Sequence, residues 1–417
     1  MAAPLAARDG AERILAAIVP QPPLRVPLDS ALGSVLAEMV ESPINIPFRA
    51  NSAMDGYAVR AADVRGASAA APRRLRVVDQ IPAGQFPSRP IGPGECARIF
   101  TGAPVPEGAD SVIRQEDTDL GARIVVIQDD RDAGVNIRRA GEDIRAGTLV
   151  FAAGTVLEAA HLGVLASLAV AHPLVHRRPR VAILASGDEI VGLDQPDLII
   201  AGLKIANSNT HALMALVRRA GGEPVDLGIA RDTPESVRQH LEAAADCDLL
   251  ITSAGVSVGE HDHLRSVIEA MGGRLDFWRV RIKPGAPVGF GSLGTVPWIG
   301  LPGNPVSTMV TFELFARPAI RRLMGHRLPF RATTPVVPTE PIRVGRGLQH
   351  FLRATLGPDG PPFPATLTGG QGSGILTSMA RADALVMVPE GQQDTPAGAR
   401  LNAIRLDDPR HVAAPPF

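Results

Sequence analysis

The residues with the clearest chemical character lie in a Gly- and Ser-rich segment, Thr252-Ser-Ala-Gly-Val-Ser-Val-Gly-Glu-His-Asp262. It follows the apolar run Asp248–Thr252, which is typical of a buried strand, and it precedes a predicted helix over Leu264–Met271. A turn of this kind presents unpaired backbone N–H groups and a helix N-terminus, which bind an anion such as phosphate. Two carboxylates, Glu260 and Asp262, stand in the same turn. Together these groups indicate a phosphate-bearing ligand with a divalent cation between it and the carboxylates.

Two further loops of the same kind occur nearby. Ser186–Glu189 follows the predicted strand Val181–Ala185, and Leu301–Pro305 follows the predicted strand Val296–Gly300. In an open α/β sheet, ligands bind in the crevice outside the carboxyl ends of the strands. We therefore predict that the three loops line one crevice.

Lysine is scarce in this chain, because only Lys204 and Lys283 are lysines among its 42 basic residues. A lysine is a compact point charge with a tunable pKa, whereas an arginine is a planar fork that stays charged. Lys283 lies in Ile282-Lys-Pro-Gly285, directly after the apolar run Phe277–Ile282. We predict a functional role for Lys283, and the sequence leaves the role of Lys204 open.

Length and composition indicate a globular protein of several domains. The chain has 417 residues, 45% hydrophobic and 20% charged, which is enough for two to four domains. A net charge of −1 and a pI near 6.8 argue against nucleic acid as the main partner. The apolar stretch Leu162–Ala171 is far shorter than the roughly 20 residues that span a bilayer.

The cysteines and the N-terminal residues bear on the compartment. Cys96 and Cys247 form no CxxC or zinc spacing, so we expect buried thiols in a reducing environment. The N-terminal residues include Arg8 and Glu12 and lack the apolar core of a signal peptide. We expect a cytoplasmic enzyme that contacts neither membrane nor nucleic acid.

Hydrophobic periodicity divides the chain into regions of different predicted secondary structure. Ala11–Val19 is predicted as a short amphipathic helix, and residues from about 45 to 150 as a compact β-rich module. From Val181, strands alternate with helices, as in a doubly wound α/β domain, and this pattern includes a predicted strand over Phe277–Ile282. Residues from about 328 onward, with Ala384–Val388 the clearest strand, indicate a small β-barrel or sandwich. The other predicted elements are strands Leu75–Val78, Cys96–Phe100, Arg123–Gln128, Thr148–Phe151 and Val225–Ala230, and helices over Leu157–Val170, Leu213–Ala220, Pro234–Ala245 and about 306–324.

Seven motifs, in this order along the chain, resemble one family closely. They are Ser52-Ala-Met-Asp-Gly-Tyr-Ala58, Phe100-Thr-Gly-Ala-Pro-Val-Pro-Glu-Gly-Ala-Asp110, Gly141-Glu-Asp-Ile144, Ser186-Gly-Asp-Glu189, Gly255-Val-Ser-Val-Gly-Glu260, Ile282-Lys-Pro-Gly285 and Leu301-Pro-Gly-Asn-Pro-Val-Ser307. The chain is similar in these to the molybdopterin molybdenumtransferases, the MoeA family, which is related to the E domain of gephyrin.

The resemblance implies a multidomain α/β protein: a doubly wound domain like the molybdopterin adenylyltransferases, a β-rich domain, an elongated linker region and a C-terminal β-barrel. The expected boundaries are 1–25 for a helix that packs on the α/β domain, 26–45 with 146–175 for the linker domain, 46–145 for the β-rich domain, 176–327 for the α/β domain and 328–417 for the barrel. It also implies a homodimer whose cleft joins the α/β domain of one copy to the β-rich domain of the other.

The implied reaction inserts molybdenum from molybdate into adenylylated molybdopterin and releases AMP in the presence of Mg²⁺. Other molybdenum-cofactor proteins, among them molybdopterin adenylyltransferase, are candidate partners. By motif, the implied catalytic residues are Asp55, Thr101, Glu189, Asp262 and Lys283, with Asp55 and Glu189 as metal ligands. The implied substrate-binding residues are Asp143, Ser186, Asp232, Gly255, Ser257, Arg279, Pro302, Pro305, Arg353 and Ser373.

The carboxylates among these residues agree with a bound cation. Two carboxylates about 4 Å apart repel by roughly 4 kcal/mol at an effective dielectric of about 20, so a crowded set must be protonated or hold a cation. Hard oxygen ligands and a phosphate-bearing substrate favour Mg²⁺. The chain departs from the family at Ala286, where a second lysine is usual, and at Arg279, where a lysine is frequent. We expect the ammonium of Lys283 to contact substrate phosphates, with Arg279 as a second positive group.

Two other functions remain open from the sequence. A molybdopterin adenylyltransferase shares the α/β fold but would not need residues 45–150 or the C-terminal region. A scaffold on the gephyrin pattern would carry a vestigial site and would have no reason to keep its carboxylates. The sequence does not decide between molybdate and tungstate.

Overall fold

The computed structural model describes residues 3–255, 263–407 and 410–417, and it divides into two compact units. The small unit comprises Met39–Ala153 and Val164–Val170. The large unit comprises Met1–Glu38, Gly154–Gly163 and Ala171–Phe417. No helix in the described ranges is both long enough and apolar enough to cross a membrane.

A five-stranded sheet that is buried on both faces forms the core of the small unit. Its strands, in spatial order, are Ser111–Arg114, Gly56–Val59, Glu95–Ile99, Arg73–Ile81 and Ile124–Ile127. Successive side chains point to opposite faces, so Tyr57 and Cys96 pack in one apolar cluster while Ala58 and Ala97 pack in the other. Burial raises the pKa of the Cys96 thiol to about 12. The predicted β-rich module and the predicted burial of this cysteine are confirmed.

Gly56, within the Ser52–Ala58 motif, begins the strand Gly56–Val59. A Cβ atom on this residue would lie 1.9 Å from the carbonyl oxygen of Ile113 on the neighbouring strand. Glycine is therefore required by the close approach of the two backbones.

The large unit contains a six-stranded sheet with helices on both faces. Its strands, in spatial order, are Glu223–Ala230, Arg180–Ser186, Leu249–Ser253, Val296–Leu301, Gly289–Leu293 and Arg274–Phe277. The first four strands are parallel to one another, and Gly289–Leu293 runs antiparallel to both of its neighbours, so Arg274–Phe277 has the same direction as the first four. The covering helices are Ser208–Ala220, Pro234–Glu242, Leu264–Ala270, and Pro305–Thr311, which continues through a π-helical turn over Phe312–Ala316 into Arg317–Leu323.

The alternation of buried side chains shows why both faces of this sheet need helices. Ile183 packs in one apolar cluster with Leu213 of a covering helix, and Leu184 packs in a second cluster with Leu241. Thr233 caps the helix Pro234–Glu242, because its side chain accepts a hydrogen bond from the backbone N–H of Ser236. The predicted doubly wound domain is confirmed.

The predicted strand over Phe277–Ile282 is wrong. The sheet strand ends at Phe277, and a separate short strand, Ile282–Lys283, pairs with Gln349–Leu356 in the C-terminal sheet. Between the two, the backbone N–H of Arg281 donates to the carbonyl of Leu5, far away in the sequence. The apolar alternation could not reveal this exchange of partners, and its consequence is that Lys283 lies beside the C-terminal domain.

Five strands of the C-terminal region close into a barrel. Gln349–Leu356 pairs with both Phe363–Leu367 and Ala384–Val388, and the ring is completed through Leu401–Arg405 and Thr333–Pro338. Side chains of these strands fill the interior as one apolar cluster. The predicted C-terminal β-barrel is confirmed.

The remaining elements are short, apart from two helices. Helix Ala7–Ala17 begins four residues before the predicted Ala11 and buries Ala7, Ala11 and Ile14 in the core of the large unit. Helix Ala159–Ser167 lies within the predicted Leu157–Val170. The other elements are the helical turns Leu28–Ser30, Ala61–Val64, Gln115–Asp117, Pro196–Ile200 and Leu376–Ala380, and the strand pairs Pro23–Arg25 with Leu174–His176, Val40–Glu41 with Leu149–Phe151, Asn51–Ser52 with Ile137–Arg138, Ile190–Val191 with Ile205–Ala206, Phe330–Arg331 with His411–Val412, and Ile342–Arg343 with Asp394–Thr395.

Candidate functional site

Loops at the carboxyl ends of three parallel strands line one cavity of about 410 Å³ in the large unit, which we call the strand-end cavity. The loops follow Arg180–Ser186, Leu249–Ser253 and Val296–Leu301, as the sequence predicted. Glu189 is the one carboxylate among the described residues that line it. The other polar lining residues are Ser186, Asn207, Ser208, Asn209, Ser253 and Asn304. Of the predicted site residues, Gly255, Pro302 and Pro305 also line this cavity.

The backbone of the Ser186–Glu189 loop determines where the Glu189 carboxylate lies. Gly187 has a φ of 140°, and a Cβ atom there would lie 2.5 Å from Oε2 of Glu189. The backbone N–H of Asp188 donates to Oδ2 of Asp232 over 3.2 Å, and the N–H of Asp232 donates back to Oδ1 of Asp188 over 3.3 Å. Asp232 thus secures the loop and is not among the residues that line the strand-end cavity.

Asn209 is a residue of this cavity that the sequence reasoning missed. Its Nδ2 donates to Oγ of Ser253 and to the carbonyl of Gly303, both over 2.7 Å, so it links two of the three loops. Asn207 accepts a hydrogen bond from the backbone N–H of Thr210 and caps the same helix. The pattern Asn-Ser-Asn directly before a helix face was the available signal, because such residues favour helix caps.

A second cavity of about 1040 Å³ adjoins the first and is lined by basic residues, so we call it the basic cavity. Its basic side chains are Lys283, Arg343, His350 and Arg353, and no carboxylate occurs among the described residues that line it. The two cavities share Pro287, Pro302 and Asn304. The shared wall brings the carboxylate of one cavity and the cations of the other into a continuous site.

Arg353 is fully buried and organises the loop that carries Ser373. Its guanidinium donates to the carbonyls of Gly370, Gln371 and Gly372 and to Oγ of Ser378. Burial lowers the pKa of Arg353. Since no carboxylate pairs with Arg353 among residues 3–255, 263–407 and 410–417, its charge contributes to the positive potential of the basic cavity.

His350 is another residue that the sequence reasoning did not identify. It is 3% exposed, it lies opposite Lys283 in the strand pairing, and its Nε2 is 3.2 Å from the carbonyl of Gly345. Burial lowers the pKa of His350 despite this hydrogen bond, and the charge of Lys283 lowers it further. A neutral imidazole therefore lies beside the lysine near neutral pH.

Arg279 does not lie with Lys283. It lines a different cavity of about 400 Å³, together with Arg265 and Trp278. The expected second positive group beside Lys283 is supplied instead by Arg343 and Arg353. The reason is the change of strand partner described above, which turns the chain between Arg279 and Lys283 toward the barrel.

Asp55 and Thr101 form a preorganised pair in the small unit. The backbone N–H and the hydroxyl of Thr101 both donate to Oδ1 of Asp55, over 2.8 and 2.7 Å. These two hydrogen bonds, aided by the charge of Arg98, lower the pKa of Asp55, so its carboxylate stays ionised. Asp143 lies in an exposed loop of the same unit, where its backbone N–H donates to the carbonyl of Ile46.

Two predicted site residues, Ser257 and Asp262, lie outside the described residues, as does Glu260. Within the described ranges, no group of three or more His, Cys, Asp or Glu side chains could hold a metal ion.

Three family models match the chain in succession. They are "MoeA N-terminal region (domain I and II)" over residues 6–169, "Probable molybdopterin binding domain" over 182–322 and "MoeA C-terminal region (domain IV)" over 336–406.

Curated proteins and a solved structure are similar over almost the whole chain. The molybdopterin molybdenumtransferase of Nostoc sp. is 36% identical over 400 residues, covering 91% of this chain and 88% of that protein. Molybdopterin molybdenumtransferase 2 of Mycobacterium tuberculosis is 38% identical over 385 residues, covering 91% and 94%. The crystal structure of the molybdopterin biosynthesis MoeA protein from Pyrococcus horikoshii OT3 matches with a TM-score of 0.82 at 27% identity, over 97% of this chain and 100% of that one.

Proposed function

The chain belongs to the MoeA family of molybdopterin molybdenumtransferases, and we propose that its site inserts molybdenum from molybdate into adenylylated molybdopterin and releases AMP. The observation that carries this proposal is the pair of adjoining cavities, one with a carboxylate and neutral polar groups and one with basic groups. The reaction joins two chemically different substrates, a dianionic oxyanion and a large polar molecule that carries phosphates. The two cavities also differ chemically, since one is lined by basic groups and the other by a carboxylate and neutral polar groups.

The basic cavity suits the anionic groups. Lys283 and the buried Arg353 attract molybdate or the substrate phosphates, because no described lining carboxylate opposes them, and Arg343, whose Nε lies 3.7 Å from Oδ1 of the exposed Asp394, adds a third cation. Neutral His350 adds no charge, and because its Nε2–H donates to the carbonyl of Gly345, its Nδ1 is left as an acceptor. The ammonium of Lys283 stabilises negative charge that develops on the oxygens during transfer.

The strand-end cavity suits the pterin. Its asparagine and serine side chains offer both donors and acceptors, which match the polar edge of a pterin ring. Asn209 holds two of the loops together, so these groups are preorganised before the substrate enters.

Glu189 fits a role as a ligand of Mg²⁺. This ion usually binds through one or two carboxylates together with substrate phosphates, and Glu189 lines the cavity that adjoins the basic cavity. When bound, Mg²⁺ would polarise the adenylyl phosphate. We propose a homodimer in which Asp55 of the partner subunit supplies the second carboxylate, held ready by the partner subunit's Thr101.

We also propose the domain boundaries that the sequence predicts. The three matched regions, 6–169, 182–322 and 336–406, support a division near residues 176 and 328. The proposed linker and β-rich domains share the first of these regions.

The test is to incubate the purified protein with adenylylated molybdopterin, molybdate and Mg²⁺, and to follow both AMP release and the activation of an apo-molybdoenzyme. We expect both products from the parent and neither when Mg²⁺ is chelated. A parallel reaction with ATP and unmodified molybdopterin tests the adenylyltransferase alternative. AMP release without active cofactor, or formation of the adenylylated product from ATP, would contradict the proposal.

A further inference from the structure

The ammonium of Lys204 binds the loop that carries Glu189. Its Nζ donates a hydrogen bond of 2.6 Å to the carbonyl of Asp188. The next residue, Ile205, donates its backbone N–H to the carbonyl of Glu189 over 3.0 Å. Two consecutive residues therefore hold two consecutive carbonyls of the loop, one through a charged side chain and one through the backbone.

Other backbone contacts also hold this loop. The backbone N–H of Gly187 donates to the carbonyl of Ala230, the N–H of Ile190 donates to the carbonyl of Gly187 over 3.3 Å, and Asp188 exchanges the two long hydrogen bonds with Asp232. The short strand Ile190–Val191 then pairs with Ile205–Ala206. The side chains of Asp188 and Glu189 are exposed. Because the Glu189 carboxylate lies directly over Gly187, a change in the backbone at 187–189 would move that carboxylate relative to the cavity.

The charge of Lys204 also matters in this place. Asp188, Glu189 and Asp232 are carboxylates of the same loop pair, and like charges that share a small region repel one another. An ammonium at the carbonyl of Asp188 opposes that repulsion and strengthens the hydrogen bond.

We propose that Lys204 is a positioning residue, which holds the Ser186–Glu189 loop so that the Glu189 carboxylate faces the strand-end cavity. The role in catalysis rests on the proposed function, whereas the role in ordering the loop does not.

The experiment compares Lys204→Met, which keeps the length of the side chain and removes its donor, with Lys204→Arg, which restores a charged donor. Arg238→Met is the control, because it removes an exposed cation from the surface of a helix in the same unit. Hydrogen exchange is measured by mass spectrometry on a peptide that spans residues 186–191. Steady-state kinetics of molybdenum transfer are measured on the same samples.

We expect amide exchange in this peptide to accelerate about tenfold in Lys204→Met, as for the loss of one charge-assisted hydrogen bond, while Lys204→Arg stays near the parent. The value of kcat should fall by a similar factor in Lys204→Met, with KM for the pterin substrate within about twofold. Arg238→Met should match the parent in both measurements.

Two results would overturn the inference. One is unchanged exchange at 186–191 in Lys204→Met, and the other is accelerated exchange with unchanged kcat, which would leave Lys204 a purely structural residue. If the parent itself transfers no molybdenum, the proposed function fails, and the exchange measurement still decides whether Lys204 orders the loop.

Discussion

Single residues divide the site by charge. Glu189 supplies a carboxylate to the strand-end cavity, while Lys283, Arg343 and Arg353 supply positive charge to the cavity beside it. Arg353 is buried and held by loop carbonyls, whereas Lys283 is exposed at the end of a short strand. Lys283 is therefore freer than Arg353 to adjust to a ligand.

Replacement of Lys283 tests this assignment. Lys283→Ala should lose about a hundredfold in rate or affinity, because a charged contact in a desolvated site contributes on the order of 3 kcal/mol. Lys283→Arg keeps the charge but changes its shape, so we expect partial recovery. Steady-state kinetics with varied molybdate and varied pterin substrate give the two effects separately.

The control for these variants is Arg322→Ala, which removes an exposed cation from the last turn of the helix Arg317–Leu323. It should behave as the parent, and the thermal midpoints of all three variants should stay close to the parent value. Full activity in Lys283→Arg would mean that the lysine reflects composition alone.

Strands, loops and helices position these residues, and the sequence predicted some of these elements better than others. The three strand-end loops were predictable, because each follows a short apolar run with Gly and polar residues. The fate of Arg279 and Lys283 was not predictable, because it depends on backbone partners at Leu5 and Gln349, which lie far away in the sequence. His350 was missed because only the folded barrel brings it beside Lys283. Asn209 was missed as a link between loops because Ser253 and Gly303 lie far away in the sequence, although the Asn-Ser-Asn pattern indicated a helix cap.

One element of the small unit gives a direct stability test. Gly56→Ala would push a Cβ atom against the carbonyl of Ile113, so we expect a loss of at least about 2 kcal/mol in the free energy of unfolding. Gly163→Ala is the control, because Gly163 lies in the helix Ala159–Ser167 and in the large unit's segment Gly154–Gly163, where an added Cβ meets no atom within 4 Å apart from its chain neighbours and its own helix backbone. It should be neutral or stabilising by up to about 1 kcal/mol.

Tyr57 allows this test to follow the small unit alone. It is the only tyrosine of the chain, so a fluorotyrosine label gives a single ¹⁹F resonance from the strand that Gly56 begins. The denaturant midpoint of that resonance should fall in Gly56→Ala and hold or rise in Gly163→Ala. Equal midpoints would contradict the role assigned to the close backbone contact.

At the scale of the whole molecule, the proposed homodimer predicts complementation between two inactive variants. Asp55→Asn and Glu189→Gln should each fold normally and lose molybdenum insertion. If each cleft takes Asp55 from one copy and Glu189 from the other, mixed dimers contain one intact cleft. Complete reassortment of an equal mixture should therefore restore about a quarter of the parent activity, as two-fold symmetry requires.

Sedimentation tests whether the protein is a dimer, and AMP release tests whether the mixed variants recover activity. The parent should sediment at micromolar concentration with about twice the 43.7 kDa mass of one chain. The two variants are mixed, allowed to exchange subunits and then assayed. A monomer in sedimentation would contradict the dimer, and a dimer whose mixed variants stay inactive would place both carboxylates in the same copy's cleft or in separate sites.

The pairing of Ile282–Lys283 with Gln349–Leu356 has a consequence for how this protein can diverge. The lysine belongs by sequence to the α/β domain, but its register is set by a barrel strand encoded more than sixty codons later. Recombination that exchanged the barrel between related genes would therefore also exchange the strand that positions the lysine. The two coding segments are expected to be inherited together, and a shuffled descendant would need to restore the Lys283–His350 register before it regained its chemistry.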